Sequence, residues 1–424
     1  MRVLLESGWS ANLGDAAMTE GVVGMLLSMS GGVHVDVIEH PAALSVTRLP
    51  AGVGRAPAPA LRTAGAGLAG KFPPAWRWDA RWARLAEKIS LLCGSRGMPG
   101  PCYLEFGTAG RDAIGLGELV SRYDALHIGG DGTLGDMFPT TTRLRVLLIR
   151  AFAAAGKTVV LSGQQIGPIE RRLIFAAVGR ALRSARLLGL RESVRSGEIV
   201  RRMGVSPDRF MVMGDDSLPV GDCGDERARE LIPAVAAGAS GYVAANYRVA
   251  PYAPGAEAQL DRFAGILDRV VEASRLPVLF VPTTLNKLDS DVTAAQQIVG
   301  RMRRRDRAGV ASDVRTPSDA KGLLGRARSA VGMSYHFCVF ALSRNTPAVS
   351  VTLGGYYGQK GEGLAETWRD RFIHAPLESS QDDDIVRRVA ASADDAGARS
   401  MLAAVNDELR ETHREFYRRE SRLL

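Results

Sequence analysis

The chain has 424 residues, more than one ordinary hydrophobic core organises, so two domains of roughly 200 residues are expected. With 46% hydrophobic and 24% charged residues it excludes domain-scale disorder, and no run approaches the roughly 20 apolar residues of a membrane helix. The net charge of +8 rests almost wholly on arginine, none of it clustered beside exposed aromatics as nucleic-acid binding requires, and the scattered Cys93, Cys102, Cys223 and Cys338 suit neither a zinc site nor a disulfide framework.

In chain order, Arg2–Glu6 reads as a buried strand. It meets Glu6 and Gly8 too early for a signal-peptide apolar region, which makes the expected location cytoplasmic. Ser7–Gly14 reads as a turn, Asp15–Met29 as an amphipathic helix and Val33–Glu39 as a second strand. That order favours a parallel sheet. From 41 to 117 Pro, Gly and Ala dominate, with Trp76, Trp78 and Trp82 around a short helical stretch ending near Leu92. This is an insertion over the first domain, either an inert elaboration or part of a substrate-facing lip.

Strands then alternate with helices. Tyr123–Ile128, Thr158–Ser162, Leu187–Leu190 and Phe210–Met213 read as strands, separated by helices over Leu144–Ala155, Arg171–Ser184 and Val194–Met203. Leu218–Gly241 reads as the linker. Beyond it, strands are expected over Tyr242–Tyr247, Val278–Val281, Val310–Ser312, Ala330–Met333 and Ala348–Thr352, alternating with helices and followed by a Gly354–Gly363 loop. Charged helices over Asp382–Leu424 close the chain. The expected fold is therefore α/β, with Rossmann-like domains over 1–217 and 218–381 facing across a cleft and the 382–424 helices packing back on the first domain.

Nearly every unusual cluster follows a predicted strand, where ligands of such sheets sit. Asn12, Gly14 and Asp15 follow the first strand; the glycine permits a tight turn, and Asp15 either addresses a ligand hydroxyl or caps the helix. Gly129-Gly130-Asp131-Gly132 is a second such turn, where the backbone must approach a ligand or a neighbouring element and Asp131 is placed to orient or deprotonate a hydroxyl. The Gly163–Pro168 turn offers Gln164 and Gln165 instead of a carboxylate. Arg191 ends a buried strand and needs an anion, either a ligand or an internal partner such as Asp15 or Asp216. His336 opens an apolar helix after the Ala330–Met333 strand, where it is suited to acid or base work, though a histidine there is also commonly structural. Lys360 in the glycine- and tyrosine-rich loop, and Arg248 after another strand, are candidate anion partners.

The ordered set Asn12-to-Met18, Gly-Gly-Asp-Gly, Gly-Gln-Gln-Ile-Gly-Pro, Leu-Arg-Glu-Ser, Ser318-to-Ala327, Gly-Met-Ser-Tyr-His and Thr-Pro-Ala-Val-Ser-Val followed by Lys360 resembles the successive motifs of the polysaccharide pyruvyl transferases. The resemblance covers most of the chain outside the insertion. It implies a GT-B-like fold and transfer of pyruvate from phosphoenolpyruvate to a sugar or lipid-linked glycan, as in exopolysaccharide and cell-envelope biosynthesis, without cofactor or metal. It departs in one place: the family commonly has Arg-Leu-His where this chain has Ser334-Tyr335-His336, and that arginine is associated with the donor. The implied roles are His336 and Asp131 in catalysis, with Asn12, Gly14, Asp15, Gly130, Gln165, Arg191, Arg248, Ser334, Tyr335 and Lys360 binding substrate. A nucleotide-sugar glycosyltransferase and a non-catalytic sugar- or nucleotide-binding protein share this architecture and remain alternatives. Acceptor identity and homo-oligomerisation stay open.

Overall fold

Short runs of aliphatic residues make the strands. In the computed structural model Ala125–Ile128, Leu187–Leu190, Val243–Asn246, Ser329–Gly332 and Ala348–Thr352 are buried at every position. Such continuous burial marks parallel strands covered on both faces. The structure describes residues 1–8, 11–29, 32–38, 46–56, 59–63, 102–108, 111–250, 255–286, 290–369 and 372–424.

The first sheet begins with β1 (Arg2–Glu6), β2 (His34–Ile38) and β3 (Gly54–Ala56). Within the expected insertion, β4 (Pro59–Thr63), β5 (Cys102–Thr108) and β6 (Arg111–Gly115) form a separate antiparallel sheet. The tryptophan-bearing stretch lies outside the described residues. The first sheet resumes with β7 (Ala125–Ile128), β8 (Thr158–Gln164), β9 (Leu187–Leu190) and β10 (Phe210–Val212), all parallel, in the order β10-β9-β8-β7-β1-β2-β3. The second sheet comprises β11 (Val243–Asn246), β12 (Val278–Phe280), β13 (Ala308–Val310), β14 (Ser329–Gly332), β15 (Ala348–Thr352) and β16 (Phe372–Pro376). Its order is β13-β12-β11-β14-β15-β16, again all parallel.

Both sheets start at a central strand, run outward one way, then return and run outward the other way. The crevice at such a reversal receives ligand. Here it lies between β1 and β7 in one sheet and β11 and β14 in the other. The halves touch at its base, where Leu13 N–H donates to Thr283 O at 2.8 Å and Leu285 N–H to Ala11 O at 3.0 Å.

Two expectations change. The stretch read as a linker holds helices Gly224–Leu231 and Ala234–Ala237, whose Leu231 and Ala236 join the apolar cluster of Tyr242 and Leu279. The expected Gly354–Gly363 loop is the start of a helix, Gly354–Trp368. Its glycines fit close packing rather than a turn: a Cβ on Gly361 would lie 2.4 Å from the His374 ring, and one on Gly363 2.7 Å from Glu192 Cγ. Tertiary contact outweighs the roughly 1 kcal/mol that each glycine costs a helix.

The closing helices divide. Asp382–Asp394 packs on the second sheet, while Ala396–Ser421 returns across the first, inserting Phe416 and Tyr417 among Val3, Leu5 and Ala125. Glu420 meets His127 Nδ1 at 2.7 Å in a wholly buried contact. Among the described residues no helix is long and apolar enough to cross a membrane.

Lys321, wholly buried on the helix Pro317–Arg326, donates to Ser217 O at 2.6 Å and Val220 O at 2.8 Å, tying the second half to the crossover. Burial pushes its pKa down to about 7. Between pH 7 and the ordinary lysine value of 10.5 the unfolded chain therefore binds the extra proton, so this group makes stability rise with pH. Lys321→Met should flatten that rise, seen as a shallower dependence of the denaturation midpoint on pH; an unchanged slope would count against a depressed lysine here.

Candidate active site

The carboxyl ends of β1, β7, β11 and β14 surround one cavity of about 290 Å³ between the sheets. From the first sheet's side, Asn12, Asp15, Asp131 and Arg191 line it. From the second, Arg248, Ser334, Tyr335, His336 and Lys360 line it. Nine of the twelve residues singled out in the sequence thus meet at one place.

The other three lie behind its wall. Gly14 supports His336: a Cβ there would stand 1.9 Å from the imidazole Nδ1, so only glycine lets the ring settle on this turn. Asn12 is the N-cap, accepting from Gly14 N–H at 2.7 Å, which leaves Asp15 in the first turn rather than at the cap. Gly130 is pressed against Gly163 O and Asp216, to which its N–H donates at 2.8 Å; the close approach is to a neighbouring element. Gln165 lines a water-sized void behind Arg191 and Tyr335, and Gln164 turns inward to donate to Gly129 O at 2.8 Å.

Asp131 accepts from Thr133 N–H at 2.9 Å and Thr133 Oγ1 at 2.8 Å, and pairs with Arg145. Arg145 is a wholly buried arginine of the helix Pro139–Ala154, donating also to Glu6 at 2.7 Å. The sequence reading did not single it out, because it sits mid-helix with no motif around it. Asp131 is therefore an oriented carboxylate in a charge network.

Arg191 is 4% exposed and pairs with Asp215, its Nε 2.9 Å from Oδ2, not with Asp15 or Asp216. Nε also donates to Gly163 O at 2.9 Å, and the guanidinium stacks over the Tyr335 ring at 4.8 Å. Burial would raise the Asp215 carboxyl, but Arg191 and then His336 hold it far below the ordinary range. Asp215 also lies 3.6 Å from His336 Nε2.

His336, 7% exposed, opens the helix Tyr335–Ser343, whose nine residues are all buried. Burial lowers its pKa, with Asp215 opposing, so the neutral imidazole predominates near pH 7. The neighbouring lysine behaves alike. Lys360 Nζ lies 4.3, 5.5 and 5.9 Å from the ring centres of Tyr356, Tyr335 and Tyr357 and has no hydrogen bond or ion pair among the described residues. Burial, with Arg191 adding to it, pushes its pKa down to about 7. An ammonium held by aromatic faces alone is open to an anion, which would also keep it protonated. Arg248 Nη1 lies 3.4 Å from Asp291.

Solved structures share this architecture at low identity. The UDP-GlcNAc 2-epimerase from Methanocaldococcus jannaschii aligns with a TM-score of 0.56 at 8% identity, over 96% of this chain and 99% of that one. Arabidopsis thaliana UGT89C1 complexed with UDP aligns with a TM-score of 0.54 at 13% identity, over 99% and 98%. The glycotransferase of kitacinnamycin aligns with a TM-score of 0.53 at 14% identity, over 100% and 97%. These likenesses establish the two-domain α/β fold of GT-B glycosyltransferases and epimerases. No curated protein matches the chain. The model of the polysaccharide pyruvyl transferases matches residues 12–354, a span that begins after β1 and contains the second sheet's reversal and every cleft residue except Tyr356, Tyr357 and Lys360, and the chain belongs to that family.

Proposed function

We propose that the chain moves pyruvate from phosphoenolpyruvate onto two hydroxyls of a sugar, forming a ketal and releasing phosphate. Family membership makes it a sugar-modifying transferase. The observation that carries the finer reading is one cavity holding a neutral histidine beside a buried carboxylate, an aromatic-caged lysine without an ion pair, and two arginines. Phosphoenolpyruvate brings a phosphate and a carboxylate, which those cations suit.

In this reading one sugar hydroxyl adds to the central carbon of phosphoenolpyruvate as the methylene carbon takes a proton and becomes methyl. Phosphate then departs with the bonding pair, leaving an oxocarbenium-like centre. A second hydroxyl closes the ketal, and its proton leaves with phosphate. His336 handles protons, with the Asp215 carboxylate 3.6 Å from Nε2 stabilising the imidazolium that forms transiently. Lys360, Arg191 and Arg248 hold the anionic groups and stabilise departing phosphate. Asn12, Asp15 and Asp131 address the sugar.

Phosphate release on incubation with phosphoenolpyruvate and a panel of sugars tests this directly. Stabilisation by UDP-sugars but not by phosphoenolpyruvate, with no phosphate released, would favour the nucleotide-sugar alternative instead. Arg191→Lys keeps the charge but loses the planar fork, so phosphoenolpyruvate should bind more weakly by about 1–3 kcal/mol. Calorimetric titration measures this, and unaltered affinity would remove Arg191 from donor binding.

A further inference from the structure

Ser334 stands at the N-cap of the helix Tyr335–Ser343, where a serine hydroxyl ordinarily accepts from the helix amides, yet it makes no capping bond. Its Oγ lies instead 3.0 Å from Thr283 Oγ1, which in turn lies 3.0 Å from Asp291 Oδ2. Two oxygens that close need a proton between them. Asp291 supplies none: its Oδ2 accepts from Thr283 N–H at 2.8 Å, Thr284 N–H at 3.0 Å and Asn246 Nδ2 at 2.9 Å, and Arg248 flanks its other oxygen. Thr283 therefore donates to Asp291, and the proton between Ser334 and Thr283 belongs to Ser334. The hydroxyl chain has one direction, and Ser334, which lines the cavity, has only lone pairs left to offer there.

Beside it, Thr284 lines the same cavity at 2% exposure, and its Oγ1 has no hydrogen-bond partner among the described residues. A buried hydroxyl without a partner is costly, and a ligand group reaching it removes that cost.

We propose that Ser334, as acceptor, and Thr284, whose hydroxyl, unpartnered among the described residues, both donates and accepts, form a subsite that takes a hydroxyl of the sugar, with Ser334 turning away a carboxylate or phosphate. An anionic oxygen at Ser334 would meet a lone pair unless Thr283 gave up its bond to Asp291. The subsite thus separates the two substrates: the anion stays near Lys360 and Arg191, and the sugar is anchored two residues from His336. Naming the ligand as a sugar rests on the transferase reading; the polarity of the subsite does not.

The test is titration of the full chain with methyl β-D-galactoside, methyl β-D-glucoside and methyl N-acetyl-β-D-glucosaminide, and separately with phosphoenolpyruvate. Ser334→Ala and Thr284→Val should each weaken binding of a hexoside roughly 3- to 10-fold, the loss of one neutral hydrogen bond, and leave phosphoenolpyruvate affinity within about twofold. Thr284→Val should melt no lower than the parent, since the lost hydroxyl has no protein partner. Hexoside affinity unchanged in both variants, a loss falling on phosphoenolpyruvate instead, or no hexoside binding to the parent at tens of millimolar would each overturn the subsite. Ser334-dependent hexoside binding without phosphate release leaves the subsite standing and removes the pyruvyl reading. Phosphate release with hexoside affinity indifferent to Ser334 does the reverse.

Discussion

His336→Ala should lower turnover by roughly 10²–10⁴, the range for losing a general acid or base. Burial lowers the histidine's pKa, and Asp215, 3.6 Å from Nε2, opposes that shift without restoring the charge at neutral pH. A neutral imidazole is the form that accepts a proton from a sugar hydroxyl. The ring also fills space over Gly14 and against Tyr335 and Phe340, so alanine leaves a cavity and costs some stability. His336→Gln separates the effects, because it keeps most of the volume and hydrogen-bonding capacity but cannot take up or release a proton. Phosphate release at saturating substrates should be equally poor in both variants, with His336→Gln melting closer to the parent. As pH falls below the ordinary imidazole value of 6.5, the unfolded chain takes up this proton first, so His336 lowers stability there and His336→Gln should not. A glutamine variant with near-parental turnover would leave His336 as a packing residue.

Arg145→Met should destabilise the protein by about 3–5 kcal/mol, the cost of removing one partner from a buried charge network. The guanidinium is wholly buried between Glu6 of β1 and Asp131 after β7, and also donates to Thr133 Oγ1 at 3.0 Å. Methionine matches the stem but leaves both carboxylates without that cation. Chemical denaturation should show a markedly lower midpoint, and adding Glu6→Gln should recover part of the loss. Because Asp131 lines the cleft, turnover should fall as well in whatever fraction stays folded. A midpoint within about 1 kcal/mol of the parent would mean that the network contributes little beyond its own desolvation.

Much of the fold and of the cleft was legible in the residues. Leu187–Leu190 and Ala348–Thr352 are all-apolar or small runs ending at turn residues, and parallel strands buried on both faces need that pattern. Strand ends converge in doubly wound sheets, so Asn12, Asp131, Arg191, Arg248 and His336, each just after a strand, were bound to share a crevice once two such sheets faced each other. Local chemistry decided these features, and local chemistry is visible in one dimension.

Only the tertiary structure decided who pairs with whom. Arg191 advertises a need for an anion, but whether Asp15, Asp215 or Asp216 meets it depends on distances across the sheet, and it is Asp215. Arg145 looks like any arginine on an amphipathic helix until the fold sets it between Glu6 and Asp131. The helix Gly354–Trp368 reads as a loop because glycine disfavours helices, and it forms because His374 and Glu192 lie where side chains would otherwise stand. The same helix carries Lys360 to its aromatic cage, and the direction of the Ser334–Thr283–Asp291 chain depends on oxygens from two loops coming within 3.0 Å. Strand burial and turns follow from neighbours in sequence, whereas charge pairing and proton direction follow from neighbours in space.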